Sequence, residues 1–272
     1  MKFRHHLPRF LSLIFFSSAM ADEAREKPLA WPEGKRMALS LSFDDSRLSN
    51  LEHGIPLLNE LGVHATFFVL PSVVEKDLER WKAAVAKGHE IGNHSLTHPC
   101  SGNIVSSPEK ATLEGFTLEM MRAELIEANS RIENLLGVKP VVYAYPCGQT
   151  FVGRGKDTVS FIPLVAELFL AGRGWLDERP NHVRRGDMAQ LTGVKMDGET
   201  METLKPMFDI AQKEGRWLIL AGHDTGKDGS SLNTTADFLR SVAAYAKDPA
   251  NGVWIAPIGT IAEYVEKETN DR

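Results

Sequence analysis

Cysteine is nearly absent: 272 residues contain two, Cys100 and Cys147, so the chain can form one disulfide at most. Long apolar runs are missing too. The most apolar stretch, Phe10 to Phe16, is too short to span a bilayer as a helix. No long basic run occurs, which argues against a nucleic-acid partner. Neither an internal repeat nor a low-complexity tract is present. What remains is ordinary for a soluble globular protein, with 43% apolar and 25% charged residues. That length fits one large α/β domain or two small ones once an N-terminal segment is set aside.

That segment, residues 1–21, reads as a secretory signal. Lys2, Arg4 and Arg9 form a basic start, Phe10–Phe16 an apolar centre, and Ala19-Met20-Ala21 a small-x-small cleavage site. Its removal takes the net charge from −5 to −8. The expected product is exported, periplasmic or secreted, and keeps no stable membrane insertion. Cys100 and Cys147 can pair in such an oxidising compartment, and the sequence leaves that pairing open. Residues 22–35, charged and Pro-containing, read as a linker, and residues 36–272 as the catalytic domain.

Within that domain strand-like and helix-like segments alternate, which favours a parallel α/β architecture. Strands are expected at Met37–Phe43, His64–Leu70, Glu90–Asn93, Val141–Tyr145, Leu168–Ala171, Leu191–Lys195, Trp217–Ala221 and Val253–Ile255. Helices are expected at Leu51–Leu61, Val73–Lys87, Leu118–Leu136, Glu202–Glu214, Thr235–Ala246 and Ile258–Lys267. About eight strands over one domain's length fit a barrel better than an open sheet, with the active site at the C-terminal strand ends. Pro99–Thr117 and Gly148–Ser160 are too long for simple connections and read as loops shaping a substrate cleft.

Polar motifs sit where those strands end. Ser42-Phe43-Asp44-Asp45 closes the first with two carboxylates whose side chains diverge, so the two need not do the same work. His94 and His98 stand four apart, a spacing that on a helical turn puts two imidazoles on one face for joint ligation of an ion. His89, just upstream, reads as a structural strand residue. Tyr143-Ala144-Tyr145-Pro146-Cys147-Gly148 ends a strand in a tight turn whose backbone N–H groups suit an oxyanion. Trp217–Ala221 runs into Gly222-His223, where a histidine is placed to act as a general acid. One carboxylate and two imidazoles can hold a divalent ion while the other carboxylate accepts a proton.

In this order and approximate spacing the motifs resemble those of the polysaccharide deacetylases, carbohydrate esterase family 4, with the NodB-type homology domain. The resemblance runs from about Met37 to the C-terminus. It implies an α/β fold, a distorted (β/α) barrel of about seven strands. It also implies Asp44 as general base, Asp45, His94 and His98 as metal ligands, the Cys147 backbone amide at the oxyanion, and His223 as general acid. Zinc is the implied metal, with cobalt or nickel as alternatives, and an acetylated carbohydrate the implied substrate. The family's arginine in the third motif is replaced by Ala144, so Asp44 is expected to lack a cation and to have a raised pKa. Arg173 or Arg184 is a candidate replacement. Ser46 stands where glycine is usual, so the turn there is expected to differ. Asp187 is the first candidate to orient His223, and Asp197 the second. Among aromatics near the motif ends, Tyr145 and Trp175 are candidates to bind sugar, with Phe151 a third. A related barrel hydrolase of a cyclic amide or formamide, or an inactive carbohydrate-binding relative, remains an alternative reading.

Overall fold

The structure, a computed structural model, describes residues 28–105, 107, 111–226 and 231–270. The expected signal segment lies outside them. In chain order the first half comprises β1 (Met37–Phe43), α1 (Ile55–Glu60), β2 (Thr66–Val69), α2 (Pro71–Val74), α3 (Leu78–Ala86), β3 (Glu90–Asn93), α4 (Leu118–Leu136) and β4 (Val142–Ala144). A short antiparallel pair follows, β5 (Phe151–Val152) with β6 (Val159–Ser160), then α5 (Ile162–Leu168), β7 (Ala171–Arg173) and β8 (Val194–Lys195). The chain continues through α6 (Met201–Glu214), β9 (Trp217–Gly222), β10 (Asp224–Thr225), β11 (Asn233–Thr234), α7 (Ala236–Lys247), β12 (Val253–Ile255) and α8 (Ile258–Asn270).

The main sheet runs β7-β4-β3-β2-β1-β9-β8, with every pairing parallel and β12 lying beside β1 as well. It curves until Arg173 of β7 bridges Leu191, in the segment that leads into β8. Two hydrogen bonds make that closure, Leu191 N–H to Gly172 O at 2.7 Å and Gly174 N–H to Leu191 O at 2.8 Å. The result is a distorted seven-stranded (β/α) barrel. Its eighth strand, β12, pairs only with β1.

Side-chain alternation along β1 explains how the barrel is filled. Met37, Leu39, Leu41 and Phe43 point outward and pack with Leu58 of α1, Trp81 of α3, Ile132 of α4, Phe208 of α6 and Val242 of α7. The opposite face carries Ala38, Ser40 and Ser42. Ala38 packs inside the barrel with Phe68, Val142, Ala144, Ala171, Trp217 and Ile219, and with Ile258 and Ile261 of α8. Ser40 donates to Ala256 O at 2.8 Å and accepts from Trp217 Nε1 at 3.0 Å; Ser42 donates to Leu220 O at 3.0 Å. Hydroxyls therefore fit inside without leaving an unsatisfied polar group.

Several boundaries differ from the sequence pattern for local reasons. Leu168 ends α5 instead of opening a strand, because Leu164, Val165 and Leu168 cover Tyr143 and Tyr145 at helical spacing. The helix expected over Val73–Lys87 is broken into α2, a 3₁₀ turn and α3. The one expected over Leu51–Leu61 begins as a π turn at Asn50–Gly54. α4 begins and ends as expected, capped by the Thr117 side chain and by Gly137 at φ +71°. Ahead of β1, Leu29 and Trp31 are buried beneath the barrel, and Trp31 Nε1 donates to Gly215 O at 3.0 Å. Among the described residues no helix is long and apolar enough to cross a membrane.

Candidate active site

The inward parity of the strands continues past their C-terminal ends and places the polar motifs at one mouth. Asp44 extends the series Ala38, Ser40, Ser42; His94 follows Gly92; His223 follows Trp217, Ile219 and Ala221. Asp44, Asp45, His94, His98, Cys147, Trp175 and His223 line a cleft of about 360 Å³.

Backbone strain is concentrated around that cleft. Among the described residues seven non-glycines have positive φ, and six of them are Asp45, Ser46, Ser95, His98, Cys147 and Leu176. Each costs about 1–2 kcal/mol unless its surroundings hold it. Ser46, at φ +53°, keeps the left-handed conformation that glycine favours, so the turn is retained rather than altered. Its hydroxyl accepts from Leu70 N–H at 2.9 Å. Turning the chain here lets Asp45 face the same cleft as Asp44.

Asp45 Oδ1 lies 3.3 Å from His94 Nε2 and 3.3 Å from His98 Nε2. The candidate ligand atoms of this trio all fall within 4.8 Å of one another. The two imidazoles do not meet on a helical turn, as their spacing suggested. They are joined by a loop that Ser95 and His98 bend through left-handed backbone. That loop is tied down by Ser95 N–H to Asn93 Oδ1 (2.6 Å), His98 N–H to Ser95 Oγ (2.9 Å) and both Thr97 donors to Glu124 Oε1 (2.6 Å each). His94 Nδ1 lies 2.9 Å from Ala144 O, and a carbonyl only accepts, so Nδ1 carries the proton and Nε2 presents a lone pair toward Asp45. His98 Nδ1 sits 3.6 Å from Cys100 Sγ, which as a disulfide sulfur has no proton to give. One carboxylate oxygen and two Nε2 lone pairs converging on a point fit a divalent cation. Asp45 Oδ2 is held by Arg47 at 2.7 Å.

Asp44 and His223 each have a buried partner. Arg173 Nη2 donates to Asp44 Oδ1, and its guanidinium lies 4.8 Å from the centre of the Phe68 ring. Burial alone would raise the Asp44 pKa, but the charge of Arg173, its hydrogen bond and the charge of His223 hold it below the ordinary carboxylate value. Asp197, fully buried, accepts from His223 Nδ1 at 2.7 Å and also takes His223 N–H and the Thr234 hydroxyl. Burial works against the imidazolium, yet the Asp197 hydrogen bond and the charges of Asp44, Asp197 and Asp45 raise the His223 pKa. Trp175 stands edge-on to His223 with ring centres 4.7 Å apart.

Residues 32–158 match the sequence profile described as polysaccharide deacetylase. Over those residues the chain is similar to the polysaccharide deacetylases. Gellan lyase of a Bacillus species is 22% identical over 261 residues, which is 87% of this chain and 10% of that protein. The peptidoglycan-N-acetylglucosamine deacetylase PgdA of Listeria monocytogenes is 39% identical over 62 residues, covering 22% of this chain and 13% of that one. A solved structure from Mycobacterium smegmatis, assigned to the polysaccharide deacetylases, shares the fold at a TM-score of 0.63 with 20% identity, over 89% of this chain and 94% of that chain. The chain spans only 10–27% of the length of the first three curated relatives it matches.

Within this domain several expectations are met and others are corrected. Asp44, Asp45, His94, His98 and His223 come together in one cleft. Asp44 does not lack a cation and its pKa is lowered, not raised. Arg173 lies opposite Ala144 in the β4–β7 ladder, so the guanidinium expected on one strand enters from its neighbour at the same level. Arg184 lies elsewhere, beside Pro28 and Glu214. Asp187 does not orient His223; it caps a 3₁₀ turn, accepting from Ala189 N–H and Gln190 Nε2 at 2.9 Å each. Asp187 precedes β8, whereas Asp197 follows it and so reaches the C-terminal mouth. Tyr145 lines the cleft but is almost wholly buried, with its hydroxyl donating to Ala189 O at 2.7 Å. Cys147 and Cys100 form a disulfide. Cys147 lies at φ +55° at the cleft, and no hydrogen bond to a described residue takes up its N–H.

Proposed function

We propose that this domain hydrolyses acetyl groups from an acetylated carbohydrate, with a divalent metal held by Asp45, His94 and His98. One observation carries the reading. A buried Asp44–Arg173 pair and a His223 held by buried Asp197 flank an Asp-His-His trio in a single cleft. An ion bound at the trio would supply Lewis acidity toward the acetyl carbonyl and a water molecule. Zinc suits two imidazoles and a carboxylate, and cobalt or nickel fit the same donors.

The chain's own residues supply the proton transfers. Asp44, ionised beside Arg173, accepts the proton of the attacking water as its oxygen bonds to the acyl carbon. The Cys147 N–H donates to the carbonyl oxygen as charge develops there. Asp197 holds His223 with Nδ1 protonated, so Nε2–H is the proton delivered to the departing nitrogen or oxygen as its bond to the acyl carbon breaks. The products are acetate and a free amine or hydroxyl on the sugar.

Export is part of the proposal. It is supported by the signal-like character of residues 1–21, by the Cys100–Cys147 disulfide, and by the peptidoglycan substrate in the name of PgdA. The test is acetate release from a panel of acetylated glycans by zinc-, cobalt- or nickel-loaded protein. Elemental analysis of His94→Ala and His98→Ala should show loss of the metal. No acetate from any glycan, or unchanged metal in both variants, would reject the assignment.

A further inference from the structure

The two carboxylates that follow β1 each have a guanidinium of their own. Arg173, at the end of β7, serves Asp44. The other, Arg47, has no part in the proton transfers. It follows Asp45 by two residues and donates from Nη2 to Asp45 Oδ2 at 2.7 Å.

The local chain explains how Arg47 reaches back. Asp45 at φ +68° and Ser46 at φ +53° are both left-handed, and two such residues in succession curl the chain sharply. The curl is fixed on both sides. Ser46 Oγ accepts from Leu70 N–H at 2.9 Å, and Asn50 N–H donates to Arg47 O at 3.0 Å where the π turn begins. The Arg47 side chain is 37% exposed, yet its Nε is buried and makes no hydrogen bond among the described residues. The guanidinium is therefore seated against the protein instead of extending into solvent.

This contact divides Asp45 between two duties. Oδ1 lies 3.3 Å from both His94 Nε2 and His98 Nε2, while Oδ2 is taken by Arg47. A carboxylate can bind an ion through one oxygen or through both. Zinc favours few ligands, commonly four, with imidazole nitrogen among them. Manganese is harder and favours an octahedral set rich in oxygen. An unrestrained aspartate can turn to offer both oxygens, which suits the second kind of ion. The charge-assisted hydrogen bond from Arg47 opposes that turn, because the turn would separate the guanidinium from its ion-pair partner.

We propose that Arg47 is a positioning residue that reserves Oδ2, confines Asp45 to ligation through Oδ1, and so sets the site's preference for zinc over manganese. In this role Arg47 acts through Asp45. The proposal rests on the metal-dependent deacetylase reading of the cleft, with Asp45, His94 and His98 as the ligands.

The test compares the protein with Arg47→Met, which keeps an apolar stem and removes the donors, and with Arg47→Lys, which restores one cationic donor. Zinc and manganese are offered together in equilibrium dialysis, and bound metal is read by elemental analysis. The visible absorption of the cobalt-loaded protein reports how many ligands surround the ion, and His94→Ala shows which bands belong to this site. Acetate release and Tm are measured alongside.

Arg47→Met should lower the ratio of zinc to manganese affinity about tenfold or more, the range that contacts supporting a metal ligand govern. Its cobalt absorption should weaken toward that of a six-coordinate ion. Arg47→Lys should recover most of both changes. Since Arg47 is partly exposed, Tm should move little in either variant. An Arg47→Met ratio and spectrum equal to those of the parent protein overturn the proposal, and so does an Arg47→Lys variant that behaves as Arg47→Met does. Arg47-dependent selectivity without acetate release from any glycan would reject the deacetylase reading and keep the role of Arg47. Acetate release with selectivity indifferent to Arg47 would do the reverse, and a parent protein that binds no metal would reject both.

Discussion

Asp44 keeps its charge in a buried setting because Arg173 sits against it, and His223 keeps its proton because Asp197 does the same with opposite sign. These two pairings set the expected pH profile. Activity should rise as Asp44 ionises, below the ordinary carboxylate value, and fall as His223 loses its proton, above the ordinary imidazole value. Arg173→Gln should raise the Asp44 pKa and move the acid limb of kcat/KM to higher pH. Asp197→Asn should move the basic limb to lower pH. Limbs that stay in place in both variants would refute these roles. Asp44→Asn should lower kcat by roughly 10²–10⁴-fold with bound metal unchanged, read by turnover and elemental analysis together. Asp44, Asp45, His94 and His223 were legible as cleft residues because each directly follows a strand or its last residues. Arg173 was not, because only the β4–β7 register shows that it faces Ala144. Asp197 was within reach of the sequence: it follows a strand, as the other site residues do, and Asp187 precedes one.

Among the elements, the loop from His94 to Cys100 and the turn at Cys147 matter most, and the disulfide joins them. It closes a segment with a sequence separation of 47, so in the chain-entropy description it contributes about 4 kcal/mol. Cys100→Ser with Cys147→Ser should lower Tm and weaken turnover more than metal binding, since the Cys147 N–H is the proposed oxyanion donor. Melting curves with and without a dithiol reductant, beside metal titrations, check this. Strands β1, β3 and β12 and helix α4 were readable to the residue because alternation or a capped apolar stripe marks them. The loop was misread as a helical turn. Two left-handed non-glycine residues shape it, and no local preference announces them.

At the scale of the whole molecule, acid stability depends on a group far from the chemistry. His89 is buried, with Nδ1 accepting from Ala65 N–H at 3.2 Å, Nε2 unpartnered, and the Phe67 and His64 rings edge-on. Burial first, and the nearby His64 second, push its pKa down to about 4. A histidine lowered in the folded state leaves the unfolded chain binding the extra proton. Stability should therefore fall by about 2–3 kcal/mol as pH drops from 6.5 to 4. His89→Asn keeps an acceptor for Ala65 and does not titrate, so its urea-unfolding free energy should lose less over the same range. An equal loss would assign the effect elsewhere.

The central position of β1 bears on how the protein is made. Its partners are β2, nearby in sequence, and β9 and β12, which begin 180 and 216 residues after Met37. A chain synthesised from its N-terminus thus presents its first strand long before two of that strand's three neighbours exist. Contacts so distant in sequence form late. Until Val253–Ile255 has emerged, the growing polypeptide holds an unfinished sheet whose apolar strand is a target for chaperones and proteases.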